Sequence, residues 1–502
     1  MSSAVAIIRA APAEPCHPWP RNMLAGEQWR ALAAALGEAD APALLALWAD
    51  PLRVHALLHD AGAGTWLVAS TTVQDGRYPA LSPCRPSAAW FERLIRDLWG
   101  HVAEGARDPR PWLDHGKWAV TAPLSLRPPP RVSPAEPMEF LPVEGEQHHQ
   151  IALGPVHGGI TEPAHFRLSA LGETVLRLEM RLGWLHKGTL GLMRGKSPRA
   201  AARFAARLSG DSTVAHSIAF ARAAEAAGST PAPPRAAALR AVMAELERLA
   251  NHLADCAAVA EAAAFAPLPA RFVWHREALL RAAAVAFGHR LMMDAVVPGG
   301  VAADIVPGGA EAILRAMTLL EEELPALQRI YDGSASLAER LSGTGIVTPA
   351  LAASFAAGGV VGRASGRATD LRRTPGYPPY DTLTFAVPVR QEGDVDARVR
   401  IRFAEMAESL RMLRGLLSAL PKGDLSVSLP QTSGEGIGWA EGFRGDIWHW
   451  LRLDGGQISA AFMRDPGWLH GPLLESAMLG TIVGDFELCR RSFNLSVSGV
   501  DL

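Results

Sequence analysis

The hydrophobic pattern changes character along the chain. Residues 1 to about 125 mix short apolar runs with turns, as in Gly64–Val73 (GTWLVASTTV). They also carry one amphipathic stretch, Ser87–Gly100 (SAAWFERLIRDLWG), and together these predict a small α+β domain. Leu124–Pro142 then holds six prolines. Proline lacks a backbone donor and favours extended chain, so a linker is expected over 126–144.

Beyond it, Phe166–Leu185 alternates apolar and polar positions on both sides of Gly172, the pattern of a β-hairpin facing a core. Alanine- and leucine-rich stretches at about 197–227, 235–265, 269–293 and 309–341 have helical periodicity. Gly445–Asp465 returns to strand-like text, and the apolar, charge-poor Ser492–Leu502 predicts a packed terminus. The expected fold is an α+β N-terminal domain over 1–125, followed over 145–502 by a mainly α-helical bundle with small marginal β-sheets. No internal repeat interrupts it.

Composition narrows the class. The 502 residues are 49% hydrophobic and 20% charged, enough for a large core and too long for one ordinary domain. A formal charge of −2, with basic residues scattered apart from short pairs such as Arg372–Arg373, argues against a nucleic-acid partner. Cys16, Cys84, Cys256 and Cys489 form no CxxC pair, so no zinc knuckle or iron–sulfur site is expected in this chain. Few cysteines and the lack of a secretory signal predict a reducing cytoplasm. The uncharged run Leu341–Gly362 could span a bilayer by length, but Pro349 and five glycines predict loop and packed helix. A membrane location would need protein partners.

One stretch carries chemistry in an unusual form. Arg207–Ser217 (RLSGDSTVAHS) sets Ser209 and Ser212 three apart around Asp211, with His216 four residues further on. Carboxylate and imidazole groups can relay protons, whereas serine hydroxyls ionise far above neutral pH and bind soft metals poorly.

Six segments occur in order: GPVHGGITEPAHF (154–166), ETVLRLEMRLGWLHKG (173–188), RLSGDSTVAHS, ELERLANHLAD (245–255), VPGGVAADI (297–305) and RASGRATDLRR (363–373). Together they resemble the large subunit of membrane-bound nickel–iron hydrogenases and the 49-kDa (D) subunit of complex I. Phe91–Trp118 resembles the 30-kDa (C) subunit. The pair on one chain is similar to the fused large subunit of formate hydrogenlyase-type complexes.

The resemblance implies specific roles. Hydrogenases carry metal-binding cysteines in RxCGxC at the positions of Ser209 and Ser212, and a second pair in a C-terminal DPCxxC. Near that end only Cys489, in GDFELCRRSF, supplies sulfur. No metal site is therefore expected, and Ser209, Gly210 and Ser212 are read as lining a vacated metal or quinone pocket. Complex I places a quinone-facing tyrosine where Gly210 stands and a second histidine where Thr161 stands, while His157 keeps the first. Glu162 matches a hydrogenase glutamate associated with proton transfer. Glu162, Asp211, His216 and His157 are the candidate proton-handling set.

Plainer roles compete with these: helix caps for Ser209, Ser212 and Asp211, a core hydrogen bond for His216, and a turn or ion pair for Glu162. His186 and Lys187 would shape a turn or a subunit contact, Cys489 would be an inert thiol, and Arg363, Asp370, Arg372 and Arg373 a salt-bridge network. The expected function is the large subunit of a membrane-associated, energy-converting oxidoreductase complex without its own nickel–iron site. The resemblance implies an iron–sulfur small subunit, antiporter-like membrane subunits and peripheral attachment at the inner face of the cell membrane. The alternatives are a quinone-site subunit of the C/D type and a non-catalytic scaffold.

Overall fold

A computed structural model describes residues 2–131, 139–143, 148–158 and 161–502. Residues 132–138 and 144 of the expected linker lie outside the described residues.

The N-terminal part is built on a five-stranded sheet, ordered Ala13–Glu14, Arg21–Leu24, Thr65–Thr72, Arg53–Asp60 and Ala43–Ala49. The strand Thr65–Thr72 falls where GTWLVASTTV predicts one. The predicted amphipathic helix is Ala89–Trp99. It ends at Gly100, whose φ of 77° is a left-handed stop that glycine adopts without Cβ strain.

The hairpin pairs His165–Leu171 with Thr174–Arg181 and turns at Gly172, with His148–Leu153 added as a third strand. The large helices are Thr213–Ala227, Pro234–Ala262, Pro269–Phe287, Gly309–Asp332 and Val395–Ser418. Near the C-terminus, Gly434–Glu441, Asp446–Asp454 and Gln457–Arg464 form an antiparallel sheet. The fold is thus mixed α/β, with several small sheets and many helices.

Two predicted helices are divided. The stretch 197–227 becomes Pro198–Ala205 and Thr213–Ala227. The break is Ser209-Gly210-Asp211-Ser212, residues of low helix propensity whose side chains bond outside the helix. The stretch 309–341 breaks after Asp332, and Ser334 starts a new helix, Ala335–Leu341, by accepting from the Leu337 N–H at 3.3 Å.

Glycine decides how closely sheet and helix approach. Gly434, Gly436 and Gly438 alternate along their strand and so share one face. A Cβ on Gly436 would lie 2.1 Å from the Ala223 carbonyl oxygen, and one on Gly438 2.1 Å from that of Ala219. The Thr213–Ala227 helix therefore lies directly on backbone, which brings His216, one turn earlier, to the sheet.

The core is continuous between the two parts. Trp48 stacks on Phe462 at 5.8 Å and Phe91 on Trp468 at 4.9 Å. Leu502 is fully buried, and its carbonyl accepts from the Lys187 and Thr189 N–H groups at 3.3 and 3.2 Å, so the terminus is packed as expected. Among the described residues no helix is long and apolar enough to cross a membrane.

Candidate functional site

The break between the two helices builds the site. Neither serine caps the Thr213–Ala227 helix; its first N–H groups, those of Val214 and Ala215, donate to Glu247 of the Pro234–Ala262 helix at 2.7 and 3.0 Å. Ser209 and Ser212 thereby point elsewhere. Ser209 Oγ donates to Asp211 Oδ1 at 2.7 Å and lies 2.8 Å from Ser496 Oγ.

Arg444, from the turn after Glu441, closes the other side. It forks onto both oxygens of Asp211 and reaches Ser212 Oγ at 3.0 Å. Burial would raise the Asp211 carboxyl, but the Arg444 guanidinium outweighs it and holds that carboxyl below the ordinary carboxylate range. Ser209 and Ser212 are each 1% exposed, whereas the Asp211 side chain is 35% exposed.

The last turn of the chain supplies the opposite end. Ser496 caps the Val497–Asp501 helix by accepting from the Gly499 N–H at 3.1 Å. Glu162 Oε2 accepts from the Val497 N–H at 2.6 Å, and Ser498 Oγ donates to Glu162 Oε1 at 2.5 Å. Lys187 Nζ reaches the carbonyls of Leu208 and Ser498, tying the two segments together, while His186 Nδ1 meets the Asp501 carbonyl at 2.7 Å.

His216 stands apart from this chain of contacts. Its Nε2 is 3.0 Å from Asp465 Oδ2 and its Nδ1 3.0 Å from His449 Nε2, all three residues being buried. With the proton on Nε2 for Asp465, Nδ1 accepts from His449, whose own Nδ1 has no partner among the described residues. Burial and then the neighbouring His216 hold the His449 imidazole well below its usual range. Asp465 also faces Gly499, where an added Cβ would meet its Cγ at 2.7 Å. His157 is tied to the Ala164 carbonyl at 2.8 Å within its own loop. Thr161 is half-buried, and Gly210 is exposed with open space where a Cβ would stand.

The structure thus joins Glu162, Asp211 and Ser209, places Ser212 beside them through Arg444, sets His216 in a separate triad, and leaves His157 in its loop. Cys489 is buried against Gly345 and Arg398, its thiol pushed up to about 11 by burial. It is Ser496 that meets Ser209, and Ser496 and Gly499 repeat the three-residue spacing of a Cys-x-x-Cys pair. Arg363, Asp370 and Arg372 do form a buried ionic network, with Glu245, Glu405 and Glu441. Arg373 is exposed and stands outside it.

Arg444, Ser496, Ser498, Glu247, His449 and Asp465 belong to the site but escape sequence reasoning. Glu247 lies in the quoted ELERLANHLAD, and Ser496 and Ser498 in the charge-poor terminus, yet nothing local reveals their partners 33 to 336 residues away.

This geometry joins a helix break and a C-terminal turn on a chain that also carries an N-terminal sheet. Similarity to known proteins then shows the family. The 30 Kd subunit of respiratory-chain NADH dehydrogenase matches residues 25–130 and its 49 Kd subunit residues 269–433. Formate hydrogenlyase subunit 5 of Escherichia coli is 27% identical over 464 residues, covering 89% of this chain and 81% of that protein. The D subunit of NADH-quinone oxidoreductase from Acidiphilium cryptum is 32% identical over 285 residues, 57% of this chain and 70% of that protein. A chain of the membrane-bound sulfane sulfur reductase, an archaeal respiratory membrane complex, shares the fold with a TM-score of 0.67 at 23% identity, covering 71% of this chain and 99% of that one. The chain belongs to the family of complex I 49-kDa subunits and hydrogenase large subunits, with a 30-kDa-type N-terminal part.

Proposed function

We propose that this chain is the large subunit of a membrane-associated oxidoreductase complex related to hydrogenases, without a nickel–iron centre of its own. It receives an iron–sulfur partner, antiporter-like membrane proteins hold it at the inner face of the cell membrane, and redox change is coupled to ion movement. Residues 1–125 and 145–502 are its 30-kDa-like and 49-kDa-like units.

The carrying observation is the donor set. A nickel–iron centre needs soft thiolates. Here Ser209, Ser212 and Ser496 present hydroxyls already engaged with Asp211, Arg444 and each other, and Gly499 has no room for a cysteine Cβ beside Asp465. These side chains do not fit the metal pair. What they offer is proton handling between Glu162 and Asp211.

The test is elemental. The complex is purified intact and its nickel and iron are measured together. Iron with nickel near zero is expected; one nickel per chain would overturn the proposal. Glu162→Gln separates it from the scaffold reading, because a scaffold keeps full complex activity after that change. The quinone-site reading draws on the likeness to the D subunit of NADH-quinone oxidoreductase, but Gly210 brings no hydroxyl to that position. A bound quinone in the extract would favour it.

A further inference from the structure

Three serine hydroxyls, those of Ser209, Ser496 and Ser498, line up between two carboxylates. From one end, Glu162 Oε1 to Ser498 Oγ is 2.5 Å, Ser498 Oγ to Ser496 Oγ 3.4 Å, Ser496 Oγ to Ser209 Oγ 2.8 Å, and Ser209 Oγ to Asp211 Oδ1 2.7 Å. The inner serines are buried, while both terminal carboxylates are partly exposed. We propose that this row is a proton wire, carrying a proton through the buried centre of the chain between Asp211 and Glu162.

The proton count favours transfer. A hydroxyl has one proton to donate and lone pairs to accept. With both carboxylates ionised, three hydroxyl protons serve four gaps, so one gap lacks a proton. With Ser498 donating to Glu162, Ser209 to Asp211 and Ser496 to Ser209, the gap left without a proton is Ser498–Ser496, which at 3.4 Å is also the longest. A proton arriving on Asp211 fills the row. Once the three hydroxyls have turned toward Glu162, each proton crosses its own gap: from Asp211 to Ser209, Ser209 to Ser496, Ser496 to Ser498, and Ser498 to Glu162. The hydroxyls end neutral and turned, Asp211 is ionised, and Glu162 has gained one proton; no oxidant or reductant takes part.

Titratable groups border both ends. Arg444 and Glu247 face Asp211, with Asp255 and Asp465 behind Arg444, and Lys187 and Asp501 face Glu162. Arg444 fixes the Asp211 end, and the Val497 N–H fixes the Glu162 end, so the row cannot be a mobile surface contact. Its use in coupling rests on the large-subunit reading; its existence does not.

The experiment needs no turnover, which keeps the two failures distinguishable. In the full chain labelled with 13C at aspartate Cγ, the Asp211 signal is assigned by its loss in Asp211→Asn and followed with pH. Glu162→Gln is expected to move the Asp211 midpoint by roughly half a pH unit. Ser496→Ala should abolish that response and Ser496→Thr, which keeps the hydroxyl, should restore it; Ser209→Ala and Ser209→Thr form a second, independent pair. A response equal in the serine and alanine backgrounds would show through-space charge alone and overturn the wire. High nickel in the purified complex would instead defeat the functional reading.

Discussion

Glu247 is a carboxyl that the fold keeps protonated. It lies between the Pro234–Ala262 helix and the start of the Thr213–Ala227 helix, where burial pushes it up to about 8 and the Val214 and Ala215 N–H groups only partly oppose that. Its folded value lies above the ordinary 4.5, so the folded state binds more protons between the two. The stability Glu247 contributes is therefore complete below about 4.5 and is lost as pH rises through about 8. Glu247→Gln keeps an acceptor for the two N–H groups and removes the titration. Its melting temperature should fall less than that of the wild type between pH 5 and 8, the difference corresponding to a few kcal/mol, on the order of the shift itself. Parallel slopes in the two proteins would refute the assignment. Nothing in the local sequence marks this residue, because its partners come from another helix.

At the scale of elements, the contact between sheet and helix rests on missing side chains. Gly436→Ala or Gly438→Ala forces a Cβ to within 2.1 Å of a helix carbonyl, and backbone on both sides cannot yield. Either change should cost about 3 kcal/mol or more, read as a lower denaturation midpoint. Gly210→Ala, with open space at its Cβ, is the control and should leave the midpoint nearly unchanged. A small effect at Gly436 would mean that helix and sheet are farther apart than described. Helical periodicity is enough to place most of the helices. The division of 197–227 is not legible in it, because low propensity over four residues competes with the apolar repeat, and the partners those residues take instead, Arg444, Ser496 and Asn251, come from distant parts of the chain.

Across the whole molecule, the N-terminal and C-terminal sheets are joined by aromatic contacts, among them the stack of Trp48 on Phe462. His17 exchanges backbone hydrogen bonds with Glu435 and Ile437, and Arg21 pairs with Glu435 beside it. Trp48, 2% exposed, fills the junction against Trp450 and Phe462. Trp48→Ala should remove about 3–5 kcal/mol. By calorimetry it should divide a single wild-type endotherm into two, the N-terminal part melting first. An unshifted single endotherm would show that the parts do not rely on this contact. The shared core also explains why a proline-rich boundary in the sequence does not produce two separate bodies: covalent linkage and packing are independent, and here aromatic burial joins what the linker divides.

By itself the sequence determined the periodic elements, the packed terminus and the family, because those are written in local spacing and ordered motifs. It also determined that serine replaces cysteine at 209 and 212, and hence that thiolate chemistry is missing there. Only the tertiary structure decided which residues meet. It assigned the C-terminal partner to Ser496 rather than Cys489, gave Asp211 to Arg444, and separated His216 from Glu162. Hydrogen bonds between residues hundreds of positions apart depend on angles and distances of about 3 Å, which no one-dimensional pattern encodes.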